Sequence, residues 1–388
     1  MNHENIISQR LVIIPLTLYI HFPWCLSKCP YCDFNSHVLS DEKAIASYVD
    51  SLLVDLEIEA RTHKGSELSS IYFGGGTPSL LSANMVTKII QQISKSFTFK
   101  PAIEITLEAN PGTIDLKRCE EFQHAGINRI SLGIQSFDDE KLKAIKRIHD
   151  AKQALAAIDV VKSAGFTNFN LDLMFGLPGQ SIADGLKDLQ AALNFMPPHL
   201  SWYQLTIEPN TLFAAVKPSR LPHSEKLWEI QQAGQDFLSK MGLKQYEVAA
   251  FCRSAENTCR HNINYWQYGD YLGIGAGAHS KITAINHSVK RYWKTADPRV
   301  YTQSEDFIEG EEIVATGKIP LEFMFNALRL YQPLSYGLFQ ERTGFTIDSI
   351  KTQLQSAQEL GLIELADDSI VTTKHGKNFL NDLLEIFL

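Results

Sequence analysis

The 388-residue chain lacks three features, each of which would assign it to a distinct class of protein. No apolar run reaches about 18 residues, so the sequence predicts no membrane-spanning helix. Only six cysteines occur and no secretory signal is recognised, so a disulfide framework is not expected. The formal net charge of −8 argues against nucleic acid as a partner, because phosphate backbones attract basic surfaces. Together these absences favour a cytoplasmic protein with reduced thiols.

Three of the six cysteines stand in one short segment, HFPWCLSKCPYCDF, as Cys25, Cys29 and Cys32. A cubane [4Fe–4S] cluster has four iron corners, so three thiolates leave one iron open to another ligand. Zinc, with His21 or His37 as a fourth ligand, is the alternative, although paired C-x2-C hooks are the commoner zinc spacing. The segment therefore favours an iron–sulfur cluster with one reactive position.

Apolar strand-like runs alternate with amphipathic helical runs between residues 16 and 251. The strands are predicted to begin near residues 17, 70, 103, 128, 169 and 200, and one helical pattern runs unbroken over residues 142–165. Repeated β–α units predict a parallel sheet with right-handed crossovers. The predicted fold class is α/β, and the periodicity is compatible with an open sheet or a partial (β/α)6 barrel.

Polar residues occur where the predicted strands end, and in parallel α/β folds these carboxyl ends form the functional face. Glycine there allows close backbone approach, and carboxylates accept hydrogen bonds from ribose hydroxyls. Helix caps and surface ion pairs are the alternative roles for the acidic residues. The residues at these ends are Gly74, Gly75, Gly76, Thr77, Glu108, Asn110, Gln135, Asp172, Gln204 and Thr206, and Arg147 adds a positive charge.

The segment RHNINYW, residues 260–266, combines a histidine with two large aromatic side chains. Haem iron accepts a histidine ligand, and the porphyrin offers broad apolar faces for Tyr265 and Trp266. A locally hydrogen-bonded histidine is the alternative role for His261. The nearby glycine-rich run GIGAGAHS is a poor match for a dinucleotide fingerprint, so we expect a closely packed strand there.

The sequence changes character near residue 292, where three short helical patterns, a hairpin-like pattern and a last helix follow. This order predicts a winged-helix-like module. Residues 321–388 hold five Lys and Arg against nine Asp and Glu, a net charge of −4. A DNA-reading wing carries the opposite sign, so this module is expected to cover the barrel or to dock a protein. The predicted domains are residues 1–291 and 292–388.

The cysteine segment, GGGTPS and the partial barrel together resemble the radical S-adenosylmethionine (SAM) superfamily. In addition, the segments YIHFPWC, EANPG, NLDLMFGLPGQ and HNINYW resemble the HemW haem chaperones, which are related to the oxygen-independent coproporphyrinogen III oxidase HemN. The resemblance implies that Cys25, Cys29 and Cys32 hold a [4Fe–4S] cluster and that SAM binds its open iron. It also implies SAM contacts from Tyr19, Tyr31, Gly75, Gly76, Thr77, Glu108, Gln135, Arg147 and Asp172.

The same resemblance makes HNINYW a haem-binding motif, with His261 as the iron ligand and Asn262, Tyr265 and Trp266 beside it. It implies transfer of haem to apo-haemoproteins such as respiratory enzymes, and it is compatible with peripheral membrane contact and with a homodimer. HemN-like enzymes carry a further cysteine where this chain has Phe34, and they have a longer stretch before the cluster. These departures favour the chaperone, the oxidase remains the alternative, and no catalytic residue is assigned.

Overall fold

A computed structural model describes residues 14–388. Its strands are β1 (Leu16–Phe22), β2 (Trp24–Cys25), β3 (His37–Val38), β4 (Glu67–Gly75), β5 (Thr98–Ala109), β6 (Arg129–Gln135), β7 (Phe169–Phe175), β8 (His199–Gln204), β9 (Lys244–Gln245), β10 (Ala250–Cys252), β11 (Asp270–Ile274), β12 (His279–Thr283), β13 (Val289–Lys294), β14 (Ile308–Ile313), β15 (Leu334–Ser335), β16 (Ile363–Leu365) and β17 (Ser369–Thr372). Its α-helices are α1 (Lys43–Thr62), α2 (Ala83–Ser96), α3 (Leu116–Ala125), α4 (Asp139–Ala144), α5 (Ala151–Ser163), α6 (Ile182–Leu193), α7 (Leu212–Ala215), α8 (Ser224–Lys240), α9 (Arg260–Trp266), α10 (Pro298–Gln303), α11 (Ile319–Ala327), α12 (Tyr336–Thr343), α13 (Lys351–Glu359), α14 (Lys374–Asn378) and α15 (Leu380–Glu385). Across this described part, no helix is both long and apolar enough to cross a membrane.

One large sheet runs through the first three quarters of the described chain, in the strand order β14-β13-β12-β11-β1-β4-β5-β6-β7-β8-β10-β9. The six predicted strands are β1, β4, β5, β6, β7 and β8, and each pairs parallel with its neighbour. The glycine-rich run contains the end of β11, which pairs parallel with β1 and packs as predicted, and the start of β12. The sheet ends at β14 and β9 without closing, so the predicted α/β fold with a partial barrel is confirmed.

The single helix expected over residues 142–165 is wrong, because the structure breaks it between α4 and α5. Lys146 has φ 54°, a left-handed conformation that an α-helix does not accommodate. Asp150 then begins α5 with a reciprocal capping box to Gln153. The loop between the two helices turns back toward the sheet, where Arg147 Nη2 donates to the carbonyl oxygen of Gly133 at 2.7 Å. The break in the helix therefore places the guanidinium of Arg147 at the carboxyl ends of the strands.

Helix α1 is joined to the antiparallel strands β12–β14 by buried charges. Lys294 on β13 lies 2.6 Å from a carboxylate oxygen of Asp55 and 2.6 Å from one of Glu59, and each of the three side chains is almost fully buried. Tyr301 donates to Asp55 and Tyr292 donates to Glu59, both at 2.7 Å. Buried charges persist when they are paired and hydrogen-bonded, so this cluster holds the antiparallel strands against α1.

The C-terminal module contains α11–α15 and a three-stranded antiparallel sheet in the order β15-β17-β16. The predicted order of three helices, hairpin and last helix is present, although the last helix is divided at Phe379 into α14 and α15. The apolar core of the module also includes Tyr268, Val289 and Val314. Because the division expected between residues 291 and 292 falls within β13 of the large sheet, we propose that the module begins after Ile313.

Candidate functional site

A cavity of about 410 Å³ lies between the carboxyl ends of the parallel strands and the cysteine segment. Its lining brings together most of the side chains that the sequence singled out. Those residues are Cys25, Cys29, Tyr31, Cys32, Gly75, Gly76, Thr77, Glu108, Asn110, Gln135, Arg147, Asp172, Asn262 and Trp266. Tyr19, His261 and Tyr265 do not line it. The predicted convergence of the strand ends on the cysteine loop is therefore present in the structure.

The three cysteines present their thiols to this cavity from a loop between β1 and α1. Cys25 Sγ donates to the His37 carbonyl oxygen at 3.5 Å, and Arg147 Nη1 donates to Cys29 Sγ at 3.5 Å. Burial, reinforced by the neighbouring Cys32 and Cys29, raises the pKa of Cys25 to about 11. Three thiolates in this position therefore need positive charge beside them, which the irons of a cluster supply.

The zinc alternative finds no support in the geometry. His21 is bonded through Nε2 to the Asn35 carbonyl oxygen at 2.8 Å, and His37 Nε2 lies 3.1 Å from the Asn35 side-chain oxygen. Over residues 14–388 no three His, Cys, Asp or Glu side chains converge on one ion-sized position. A cluster is a larger body held by separate thiolates, and a loop with three thiols at the wall of a cavity fits that donor set.

The glycine segment after β4 brings two backbones together. Gly76 donates its N–H to the Phe22 carbonyl oxygen and Thr77 donates to that of Trp24, both at 2.7 Å. A Cβ on Gly76 would overlap the Trp24 backbone, and Gly75 has φ 115°. The expected ligand contacts from these residues must therefore come from carbonyl oxygens and the Thr77 side chain, because these two amide groups are already bonded.

Glu108 ends β5 with its carboxylate at the cavity wall. It accepts a hydrogen bond from Tyr72 Oη at 2.8 Å and one from the Gly75 N–H at 3.2 Å. Burial, with a further contribution from the charge of Asp172, raises the pKa of Glu108 to about 7, while both hydrogen bonds oppose that rise. Glu108 is therefore neither a helix cap nor a surface ion pair, and its protonation changes near neutral pH.

Asp172 and Gln135 lie on the neighbouring strands β7 and β6. Asp172 accepts hydrogen bonds from Asn170 at 2.7 Å and from Ser131 at 3.0 Å, and burial raises its pKa. Gln135 has φ 69°, and its side-chain oxygen accepts from Tyr203 Oη at 2.7 Å. A left-handed backbone is strained for a non-glycine residue and persists only where surrounding contacts hold it. Residues strained in this way are concentrated at functional sites.

Helix α9, which carries HNINYW, forms another wall of the cavity. The buried side chain of Asn264 donates to the Asp270 carbonyl oxygen at 2.8 Å and so fixes the helix against β11. Asn262 and Trp266 face the cavity, whereas the partly exposed Tyr265 packs edge-on against Trp266 with ring centres 5.1 Å apart. The motif thus supplies an aromatic side chain to the same cavity that the cysteine loop lines.

His261 lies behind that wall, packed on the tyrosines of the sheet. Its ring stacks on Tyr72 at 4.9 Å between centres and lies 6.0 Å from the ring of Tyr19, whose hydroxyl is bonded to His21. Burial, followed by the charge of Arg129, lowers the pKa of His261 to about 4. The Nδ1 atom is buried without a hydrogen-bond partner among residues 14–388. The imidazole is therefore neutral at pH 7, the form that binds a metal.

The sequence reasoning chose the wrong residues at the end of β8. The exposed Gln204 and Thr206 do not line the cavity, whereas Ser201 and Tyr203 do. Side chains on a strand alternate between the two faces, so Ser201 and Tyr203 share the inner face and Gln204 does not. The sequence alone could not choose between the faces, because buried residues occur on both of them, at His199 on one and at Leu200 and Trp202 on the other.

Glu247 is a further cavity residue that the sequence reasoning missed. Its side chain is buried and accepts a hydrogen bond from the Ala249 N–H at 3.2 Å. Burial raises the pKa of Glu247 to about 7, and the charge of Arg329 opposes that rise. An acid between Tyr246 and an apolar strand was the only available signal. With Glu108 and Asp172, it makes three carboxyl groups on the cavity wall.

Comparison with known proteins places the chain in a family. Residues 19–192 match the radical SAM superfamily and residues 318–379 match the HemN C-terminal domain. A Haemophilus influenzae protein named heme chaperone HemW is 45% identical over 378 residues, which cover 96% of this chain and 98% of that protein. The chain belongs to the HemW family. A Bacillus subtilis heme chaperone HemW is 30% identical, covering 95% of this chain and 98% of the relative.

The solved structure of Escherichia coli coproporphyrinogen III oxidase, HemN, superposes on this HemW-family chain with a TM-score of 0.83. The alignment covers 98% of this chain and 91% of HemN at 23% identity, so it shows a shared fold alone. The predicted resemblance to HemW is confirmed. The expected [4Fe–4S] cluster and SAM are confirmed at the level of the radical SAM superfamily, while the role of each site residue stays a prediction.

Proposed function

We propose that this HemW-family chain binds haem and passes it to apo-haemoproteins. The observation that carries the proposal is that helix α9 and the three cysteines form walls of one cavity. Relatives covering nearly the whole chain are named heme chaperones, which supports the same function. In this proposal Cys25, Cys29 and Cys32 hold the [4Fe–4S] cluster. When bound, the cluster supplies an open iron position for SAM.

The residues of the chain have separate tasks in this proposal. Glu108 and Asp172 accept hydrogen bonds from SAM, and Arg147 offsets the negative charge of the cysteine sulfurs. His261 contributes a neutral imidazole for the haem iron, and Trp266 contributes an aromatic face for the porphyrin. Tyr72 connects the proposed SAM-binding and haem-binding residues, because its hydroxyl donates to Glu108 and its ring stacks on His261.

We propose the cytoplasm as the setting and respiratory haemoproteins as recipients. Such recipients require transient contact at the membrane periphery, and a homodimer is compatible with this task. Coproporphyrinogen III oxidation is the competing function, and the similarity to HemN at 23% identity supports only the fold. The two functions differ in a measurable way, because a chaperone releases haem unchanged and an oxidase consumes its porphyrinogen.

Replacing His261 by alanine is expected to weaken haem binding by at least about tenfold. Loss of a residue that only supports a metal ligand already costs about that much affinity, and loss of the ligand itself should cost more. The residual complex should show a displaced Soret band, which a haem titration followed by absorption spectroscopy measures. His279→Ala is measured in the same way as an alternative iron ligand. The imidazole of His279 is exposed on β12 and stacks on Trp293, so it is accessible to a ligand. The exposed His124 on α3 provides the matched control, and its replacement should leave the titration unchanged.

Normal haem binding by the His261→Ala variant would show that His261 is not the iron ligand. The cysteine variants should still bind haem, because the proposed haem ligand is not a cysteine. Efficient turnover of coproporphyrinogen by the reconstituted wild type, together with normal haem binding by His261→Ala, would contradict the chaperone and support the oxidase.

The affinity for SAM is expected to rise with pH between about 6 and 8. Because the pKa of Glu108 is about 7, its carboxylate, the better hydrogen-bond acceptor, becomes the major form above that pH. Glu108→Gln should weaken SAM binding at pH 8 by about 1.5–3 kcal/mol and remove this rise. Calorimetric titrations at several pH values test the expectation. Glu121→Gln on α3 is the control, and a pH profile that Glu108→Gln leaves intact would assign the rise to another group.

A further inference from the structure

Arg329 follows α11 at the seam between the C-terminal module and helix α9. Its guanidinium lies 5.3 Å from the ring centre of Trp266 and 5.2 Å from that of Phe325. Trp266 lines the cavity, so this cation of the C-terminal module contacts a residue of the proposed haem site. A guanidinium stacked on aromatic rings uses its flat faces and leaves the N–H groups at its edge available.

Those N–H groups have no acceptor in the part of the chain that the structure describes. Over residues 14–388 the Arg329 side chain makes neither a hydrogen bond nor an ion pair, although it is only partly exposed. The neighbouring seam residue Arg291, in contrast, has a carboxylate partner, because its Nη2 lies 2.7 Å from Glu322. Burial lowers the pKa of Arg329, and the charges of Tyr265 and Glu247 offset this only in part, so the cation is incompletely compensated. Such a group is stabilised by an anion that arrives with a ligand.

Trp266 itself provides an independent sign of a missing ligand. Its indole Nε1 is buried and has no hydrogen-bond partner among the described residues. Buried polar atoms in native structures are nearly always bonded, so each exception calls for an explanation. The seam therefore combines an unpaired guanidinium with an unpaired indole N–H beside a flat aromatic face.

The charge of the cavity determines how an anionic ligand can lie in it. Glu247 lies close enough to Arg329 for their charges to attract, whereas Glu108 and Asp172 line the wall and disfavour further carboxylates beside them. A planar ligand with carboxylates on one edge is therefore favoured with that edge away from these acids and toward Arg329. Haem has this form, since its two propionates lie on one side of the macrocycle.

We infer that Arg329 binds a propionate carboxylate of haem, so that the C-terminal module supplies part of the haem site. The inference rests on the proposed haem-binding function. The guanidinium donates to the carboxylate through its edge while remaining stacked on Trp266. No bond is made or broken, and the chemical class recognised is a carboxylate on a large planar ring.

The test compares haem with haem dimethyl ester, which keeps the iron and the ring but lacks the carboxylate charges. Both ligands are titrated into the full-length wild type and into Arg329→Gln and Arg329→Lys. We expect Arg329→Gln to weaken haem binding by about 10- to 100-fold, as for a charge-assisted hydrogen bond. We expect wild-type protein to bind the ester more weakly than haem, and Arg329→Gln to weaken ester binding no further. Arg329→Lys should recover part of the preference for haem.

Lys318→Ala is the matched control. Lys318 is exposed and precedes α11, so its replacement also removes one positive charge from the C-terminal module, but not the charge stacked on Trp266. Equal weakening of haem and ester binding by Arg329→Gln would assign Arg329 a packing role and overturn the inference. Equal affinity of the wild type for both ligands would also overturn it, even without a variant. Failure of the wild type to bind haem would contradict the proposed function itself, which is a distinguishable result.

Discussion

Single replacement of Cys25, Cys29 or Cys32 by alanine is expected to abolish the [4Fe–4S] cluster. All three thiols line the same cavity, and the described protein offers no further cysteine there to replace a missing one. Two thiolates are too few to hold a cubane against loss of iron. Anaerobic reconstitution followed by iron and sulfide analysis and visible absorption measures the result.

The other three cysteines provide controls with the same substitution. Cys119, Cys252 and Cys259 are buried away from the cavity lining, so their alanine variants should retain the cluster if they fold. A variant at Cys25, Cys29 or Cys32 that retains full iron and sulfide would contradict the assignment. Stoichiometric zinc in wild-type protein purified without oxygen would favour the alternative metal.

Replacing Lys294 by methionine is expected to lower the free energy of unfolding by about 3–5 kcal/mol, the usual cost of leaving a buried ion pair without one partner. The substitution keeps the apolar stem but leaves Asp55 and Glu59 buried without their cation. The loss should be smaller at acid pH, because protonation neutralises the two stranded carboxylates. Urea unfolding of the variant and the wild type at two pH values measures both effects.

Lys290→Met on the same strand is the matched control. Its ion pair with Glu311 is exposed on both sides, so its loss should change the free energy of unfolding by less than about 1 kcal/mol. Adding Asp55→Asn and Glu59→Gln to Lys294→Met should recover part of the stability. Equal effects of the two lysine replacements would show that the buried cluster contributes no more than a surface pair.

The antiparallel strands and the seam illustrate what periodicity could not predict. Lys294 is 239 residues from Asp55 and 235 residues from Glu59 in the chain, and no local pattern marks them as partners. The same holds for Arg329 and Trp266, which come from different modules. In contrast, the six parallel strands were predictable, because β-branched and aromatic runs between amphipathic helices are a local pattern.

The amino-acid sequence by itself determined the parallel α/β core, the three-cysteine loop and the family motifs, because each depends on neighbouring residues or on a short repeat. Only the tertiary structure decided which side chains face the cavity. It placed Ser201 and Tyr203 of β8 on the cavity wall in place of Gln204, broke the helix before Arg147, and added Glu247. It also set His261 behind the wall that Trp266 forms. These positions depend on strand register and on contacts between distant segments, which the packing of the whole chain fixes.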